Sequence, residues 1–183
     1  MNHPLVLFFL LFCSLPSVQQ ALYPADLGGD EQWKILKKDN YEIRFPGDWS
    51  VDTSQQMGTT FVLLSPVSDA EDQFRENVNL MVQDLSAYDL NLDQLAKSTE
   101  SQISNLITDA KMVLSEREER AGEAYHHLVY TGKQGIFDLR YEQYFWLKAK
   151  KAYILTLTVE IDQVEAYQET GKLILNSFQF SDN

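Results

Sequence analysis

The sequence predicts an α+β domain: a three-layer α/β/α sandwich with a central antiparallel sheet of about six to eight strands and helices on both faces. Three observations carry that expectation. Two amphipathic helical patterns, near residues 92–107 and 164–176, stand far apart in the chain. About eight runs of β-forming residues lie around them, and the short turns joining the later runs favour antiparallel neighbours. Tyr and Trp fall on both parities of the runs after residue 123, so both sheet faces need cover.

The 183 residues suffice for one domain after processing, with 44% hydrophobic and 12% aromatic residues, the composition of a packed core. Residues 1–21 read as a signal peptide, because they carry no Lys, Arg, Asp or Glu and hold an apolar run from Leu5 to Leu15. That run is shorter than the ~20 residues needed to span a bilayer. A buried N-terminal helix is the alternative. Cys13 is the single cysteine, and Phe12 before it departs from a lipobox. The part that follows the signal therefore has no thiol for a disulfide, metal or nucleophile. An extracytoplasmic location, periplasmic or secreted, follows, with no stable membrane insertion after signal cleavage. Residues 22–32 read as a linker, broken by Pro24, Gly28 and Gly29. The domain is expected over 33–183.

Within it, residues 33–37 and 41–45 flank Lys38, Asp39 and Asn40 as a hairpin. Phe45-Pro46-Gly47-Asp48 matches a type II turn, with Pro46 presetting φ and Gly47 accepting a positive one. Trp49 then folds back onto the sheet. Residues 59–65 form the next strand, 67–76 an acidic loop, and 77–83 a strand with a polar second face. Leu92, Leu95, Ala96, Thr99, Ile103, Leu106 and Ile107 repeat at helical spacing, and Asn91 with Gln94 forms a capping box. Strands follow at 112–120, 123–131, 136–147 and 152–159, with 132–135 and 148–151 as turns. Val164, Tyr167, Gly171 and Ile174 line the second helix, for which Asp162 and Glu165 form a capping pair. Gly171 costs about 1 kcal/mol in a helix and is expected where the helix approaches the sheet closely. Residues 178–180 close the fold.

The motifs YEIRFPGDW, FVLLSP, ENVNLMVQDL, LNLDQLAKSTESQI, AGEAYHHLVYTG, KKAYILTLTVE and SFQF occur in that order over residues 33–181. Together they resemble the PsbP-like and DcrB-like family, which includes the photosystem II extrinsic protein PsbP and shares its fold with a Ran-binding nuclear import factor. The resemblance implies a non-enzymatic accessory or binding role outside the cytoplasm. The signal disfavours nuclear Ran binding, and nothing matches a long thylakoid-targeting presequence. A bacterial exported PsbP-like protein fits best.

The chemistry classes narrow by exclusion. A net charge of −12 and a pI near 4.6 exclude nucleic acid as a partner. No phosphate loop, dinucleotide fingerprint or G-x-S-x-G occurs, so no cofactor and no catalytic residue is assigned. His126 and His127 are adjacent in a strand, point to opposite faces, and cannot chelate one ion together. Two groups remain as candidate site residues. Asp69, Glu71, Asp72 and Glu76 form a loop for a cation or a partner, although their spacing is not that of a calcium loop. Tyr125, Tyr130, Tyr144, Trp146 and Tyr153 line a pocket between sheet and helix, if they are not simply core. The functional expectation is an envelope protein acting through an unidentified protein partner, with a carrier of a small apolar ligand as the alternative and a hydrolase third.

Overall fold

The computed structural model describes residues 33–38, 40–55 and 58–181. The expected signal peptide and linker, and Cys13 with them, lie outside the described residues.

Ten strands and two helices make up the described chain. β1 (Lys34–Lys38) and β2 (Tyr41–Phe45) form the expected hairpin, and β10 (Gln179–Phe180) adds to the other edge of β2. The larger sheet has seven antiparallel strands. In spatial order they are β3 (Ser50–Asp52), β4 (Thr59–Leu64), β5 (Asn77–Asp84), β9 (Lys151–Glu160), β8 (Phe137–Lys148), β7 (Glu123–Gln134) and β6 (Thr108–Arg120). α1 (Leu92–Leu106) precedes β6, and α2 (Val164–Ser177) precedes β10. The molecule is thus mostly sheet. The three-stranded sheet is a separate unit that the sequence reading merged with the main one.

Alternation along the strands divides the core into two clusters. Tyr144 and Trp146 join Tyr125, Leu155, Leu157 and Val159 in the first, with Tyr41, Ile43 and Phe45 of β2 and Ile174 and Leu175 of α2. Phe145 between them belongs to the second, with Leu128, Tyr130 and Tyr141 and with Leu92, Leu95, Ala96 and Ile103 of α1. A period of two sends neighbouring side chains to opposite sides, which is why one strand feeds two cores. Trp49 is 4% exposed, within the first cluster, and meets Tyr167 of α2 edge-on with ring centroids 6.4 Å apart. Its burial answers for a tryptophan just past the strand end.

Several local expectations change. The turn after β2 closes one residue later than a type II turn at 45–48 requires: Trp49 N–H donates to Pro46 C=O at 3.1 Å, and Gly47 is not among the positive-φ glycines. Pro46 therefore opens the turn instead of sitting second in it. β7 runs through Gly132 to Gln134, where a loop was expected. A Cβ at Gly132 would lie 2.3 Å from Ile107 Cγ2 and 3.2 Å from Thr108 C=O, so the glycine permits close packing within a strand. The Asn91–Gln94 capping box forms, both of its bonds at 2.9 Å. The Asp162–Glu165 pair does not: a 3-10 turn over Ile161–Gln163 leads into α2, whose N-cap is Gln163 without a side-chain cap. Gly171 behaves as expected, since a Cβ there would come within 2.4 Å of Leu157 Cδ2. β6 begins four residues earlier than expected, through two register shifts and a positive φ at Asp109.

Candidate functional site

The loop between β4 and β5 is folded by its own carboxylates. Asp69 Oδ1 accepts from the backbone N–H of Glu71 at 2.8 Å and of Asp72 at 3.0 Å. Asp72 Oδ2 accepts from the N–H and hydroxyl of Ser68, and its Oδ1 accepts from Phe74 N–H at 3.1 Å. Such local bonds replace a regular ladder and fix a tight loop. Phe74 pins it down, its ring 5.2 Å from that of Phe137 at the start of β8. Arg75 turns inward, donating from Nε to Ser65 C=O at 2.6 Å and from Nη2 to Ser50 Oγ at 3.0 Å and Leu64 C=O at 3.3 Å. Its guanidinium serves two backbone carbonyls and a hydroxyl, not carboxylates.

The anchored loop forms one wall of an open cleft of about 460 Å³. Asp69, Glu71, Asp72 and Glu76 all border it, so the four acidic residues singled out in the sequence do come together. They are joined by residues that were not foreseen: Phe137, Glu160 at the end of β9, and Tyr167 of α2. Glu76 is 3% exposed. Its Oε2 accepts from Ser65 Oγ at a long 3.3 Å, and its Oε1 has no hydrogen-bond partner. Burial, the largest effect, raises its pKa; its own backbone N–H opposes this, while Asp72 and Glu160 add to it. Glu160 is likewise raised, by burial first and then by Asp162 and Asp72. Tyr167 is raised by burial and then by Glu76. The cleft is thus a place where negative charge is disfavoured and yet concentrated. Among the described residues, no group of three or more His, Cys, Asp or Glu is arranged to hold a metal ion.

The aromatic candidates are distributed otherwise. Tyr125, Tyr144, Trp146 and Tyr153 lie in the first cluster, each no more than 6% exposed, and touch one another or the C-terminal rings. Centroids are 5.0 Å apart for Tyr125–Tyr144, 5.6 Å for Tyr125–Trp146, 5.0 Å for Trp146–Phe178 and 4.9 Å for Tyr153–Phe180. Tyr130 is in the second cluster, stacked on Tyr141 at 4.7 Å. The five do not meet in one place, because Tyr130 differs in strand parity from Tyr125.

Beside the first cluster runs a chain of charged groups that sequence reasoning missed. Tyr125 Oη donates to Glu118 Oε2 at 2.5 Å; His127 bridges Glu118 Oε1 at 2.8 Å and Glu142 Oε1 at 3.0 Å; Arg140 donates to Glu142 Oε2 at 3.0 Å. Arg120 closes the end, bound to Asn176 of α2 at 2.6 Å and lying over the Tyr125 and Tyr144 rings. Burial works against charge on His127, but hydrogen bonds to Glu142 and Glu118 outweigh it and hold the pKa above its ordinary value. Glu142 is 1% exposed; burial alone would raise it, yet His127 and Arg140 keep it below the usual range. Pairing the expected β7 and β8 in register would have placed His127 opposite Tyr144 and diagonal to Glu142. No single-strand pattern supplies that register.

His126 points to the other side, as expected, stacked on Phe145 at 5.2 Å. Its Nε2 is 2.8 Å from Ser115 Oγ, and Ser115 also bonds Glu100 Oε1. This is not a nucleophile–base–acid arrangement. An ionised Glu100 can only accept, so the serine proton goes to Glu100 and the hydroxyl accepts from His126 Nε2–H. His126 Nδ1, which an orienting acid would hold in a triad, is buried without a partner.

No protein-family model and no curated protein matches the sequence. Solved structures do match in fold. Cyanobacterial PsbP (CyanoP) from Synechocystis sp. PCC 6803 superposes with a TM-score of 0.60 at 15% identity, covering 87% of this chain and 99% of that one. PA94 from Pseudomonas aeruginosa, a protein of unknown function, gives a TM-score of 0.60 at 14% identity, over 82% of this chain and 99% of its own. LpqN, described as involved in cell envelope biogenesis of Mycobacterium tuberculosis, gives 0.60 at 10% identity, over 82% and 91%. The chain has a PsbP-like fold.

Proposed function

We propose that this PsbP-like chain is an exported, non-enzymatic accessory protein of the cell envelope that acts through a protein partner. On this reading its sheet is the middle layer of an α/β/α sandwich, with α1 and α2 covering opposite faces. The observation that carries the proposal is the division of labour among its polar groups. The His127 chain is satisfied internally and His126 is stacked on Phe145 in the core, whereas the acidic cleft is concave, open and uncompensated. Fold likeness to LpqN, whose description places it in envelope biogenesis, supports the envelope setting. Fold alone does not assign a task, so the partner is argued from the surface. The apolar-carrier alternative requires the aromatic residues to line a cavity; four of the five contact other rings of the first cluster, and Tyr130 stacks elsewhere.

The test uses the full chain expressed in the host that encodes it. A photo-crosslinking residue is placed at exposed Glu71 on the cleft rim, and as a control at exposed Asn105 on α1. The expected result is one envelope protein crosslinked from position 71 and absent from position 105, with the chain itself in the extracytoplasmic fraction. Crosslinks from neither position, or retention in the cytoplasm, contradict the reading.

A further inference from the structure

The cleft has chemistry specific enough to name what it receives. Of its acidic residues, Asp69 and Asp72 use their oxygens to hold the loop backbone. Glu71 is exposed at the rim, and Glu160 and one oxygen of Glu76 are not used in this way. Glu76 lies at the cleft, 3% exposed, with one carboxylate oxygen unpartnered. A buried carboxylate oxygen without a partner is rare in folded proteins and costs free energy until something satisfies it. The nearby cation does not: Arg75 is tied to the carbonyls of Leu64 and Ser65. Glu160 faces the same space and is set against Asp72 and Asp162, not against a base. Phe137 and Tyr167 supply aromatic wall beside them.

We propose that this cleft binds an organic cation, an alkylammonium or guanidinium group, between Glu76 and Glu160. A bare metal ion fits less well: calcium takes six to eight oxygens and magnesium a strict octahedron, and among the described residues no three carboxylates are arranged to hold an ion. A guanidinium suits both the carboxylates and the rings, since it pairs with carboxylates through a planar fork and lies over aromatic faces. The source can be a Lys or Arg side chain of the protein partner or a free polyamine. The inference rests on the partner reading for the first source, and stands without it for the second.

The probes are a ten-residue peptide alternating Arg and Ser, spermidine, and calcium chloride, each titrated calorimetrically into the full chain. The expected result is saturable binding of the peptide that weakens about tenfold or more in Glu76→Gln, the scale for losing a charge-assisted bond. Glu160→Gln should weaken it as well, and Asp69→Asn should leave it within about twofold. Glu160→Gln, on a half-exposed residue, keeps the test valid should Glu76→Gln fold poorly. Spermidine binding that depends on Glu76 and Glu160, without peptide binding, supports the cation site and removes the partner as its source. Peptide binding unaffected by either substitution, calcium binding in place of both organic probes, or no binding at all overturns the inference. Crosslinking from position 71 that persists in that last case would leave the partner reading standing on its own.

Discussion

Two glutamates are almost equally buried in this protein, Glu142 at 1% and Glu76 at 3% exposure, and they are treated in opposite ways. Glu142 sits mid-sheet with His127 on one oxygen and Arg140 on the other, and its pKa is lowered. Glu76 has one long bond to Ser65, an unpartnered oxygen, two acidic neighbours, and a raised pKa. Burial is the same physical cost in both places. What differs is whether the chain supplies the counter-charge. Where it does, the carboxylate is a structural part; where it does not, the charge is held ready for something outside. This contrast separates architecture from function on a fold that by itself assigns none.

The comparison can be broken at its compensated end first. His127→Ala leaves Glu142 with Arg140 alone and Glu118 without its imidazole, and should cost about 3 kcal/mol or more, the scale for removing one partner of a buried pair. Urea denaturation reads it; a loss below about 1 kcal/mol would mean that the chain of charges carries little.

A packing lesion sets the next scale. Gly171→Ala drives a Cβ into Leu157, which is 1% exposed, and should cost about 1–3 kcal/mol, partly offset by about 1 kcal/mol of helix propensity. That loss should be the same across pH, since no titrating group is involved.

The charged chain, by contrast, should show pH dependence. The folded pKa of His127 is raised, so its contribution is fully present below its unfolded value of about 6.5 and is lost as pH rises through the folded value. Glu118 and Glu142 are lowered, so their contribution is present above about 4.5 and is lost as pH falls through their folded values. Stability from this network therefore peaks between those limits. The gap between thermal melts of wild type and His127→Ala should narrow as pH rises well above 7, leaving what the ring's contact with Tyr144 contributes; a constant gap would show that the whole difference is packing. Ser65→Ala, which removes the long bond to Glu76, should cost least, about 1 kcal/mol by chemical denaturation.

Much of the fold is legible in the sequence. Helical spacing in LNLDQLAKSTESQI gave α1 and its capping box, and alternation gave the main strands and the opposed directions of His126 and His127. The acidic loop was legible as a cluster, because its residues fall within one short stretch, 69–76. Its partners in the cleft, Phe137, Glu160 and Tyr167, were not, since they arrive from β8, β9 and α2 through strand register and helix docking. The same holds for Glu118, Arg120, Glu142 and Arg140 around His127. Gly132 misled because glycine marks both turns and close contacts, and only the presence of Ile107 across the strand distinguishes them. Pro46 misled by a single residue, since proline opens a turn as readily as it sits second in one.

The most direct measurement places the two glutamates side by side: equilibrium urea unfolding at pH 7 of wild type, Glu142→Gln and Glu76→Gln. The account predicts a loss of about 3–5 kcal/mol for Glu142→Gln. For Glu76→Gln it predicts wild-type stability or better, because a disfavoured charge is removed and the amide oxygen still accepts from Ser65. A loss at Glu76 as large as that at Glu142 would show its carboxylate to be an internal structural part, and would contradict the claim that the cleft is held open for a cation from outside.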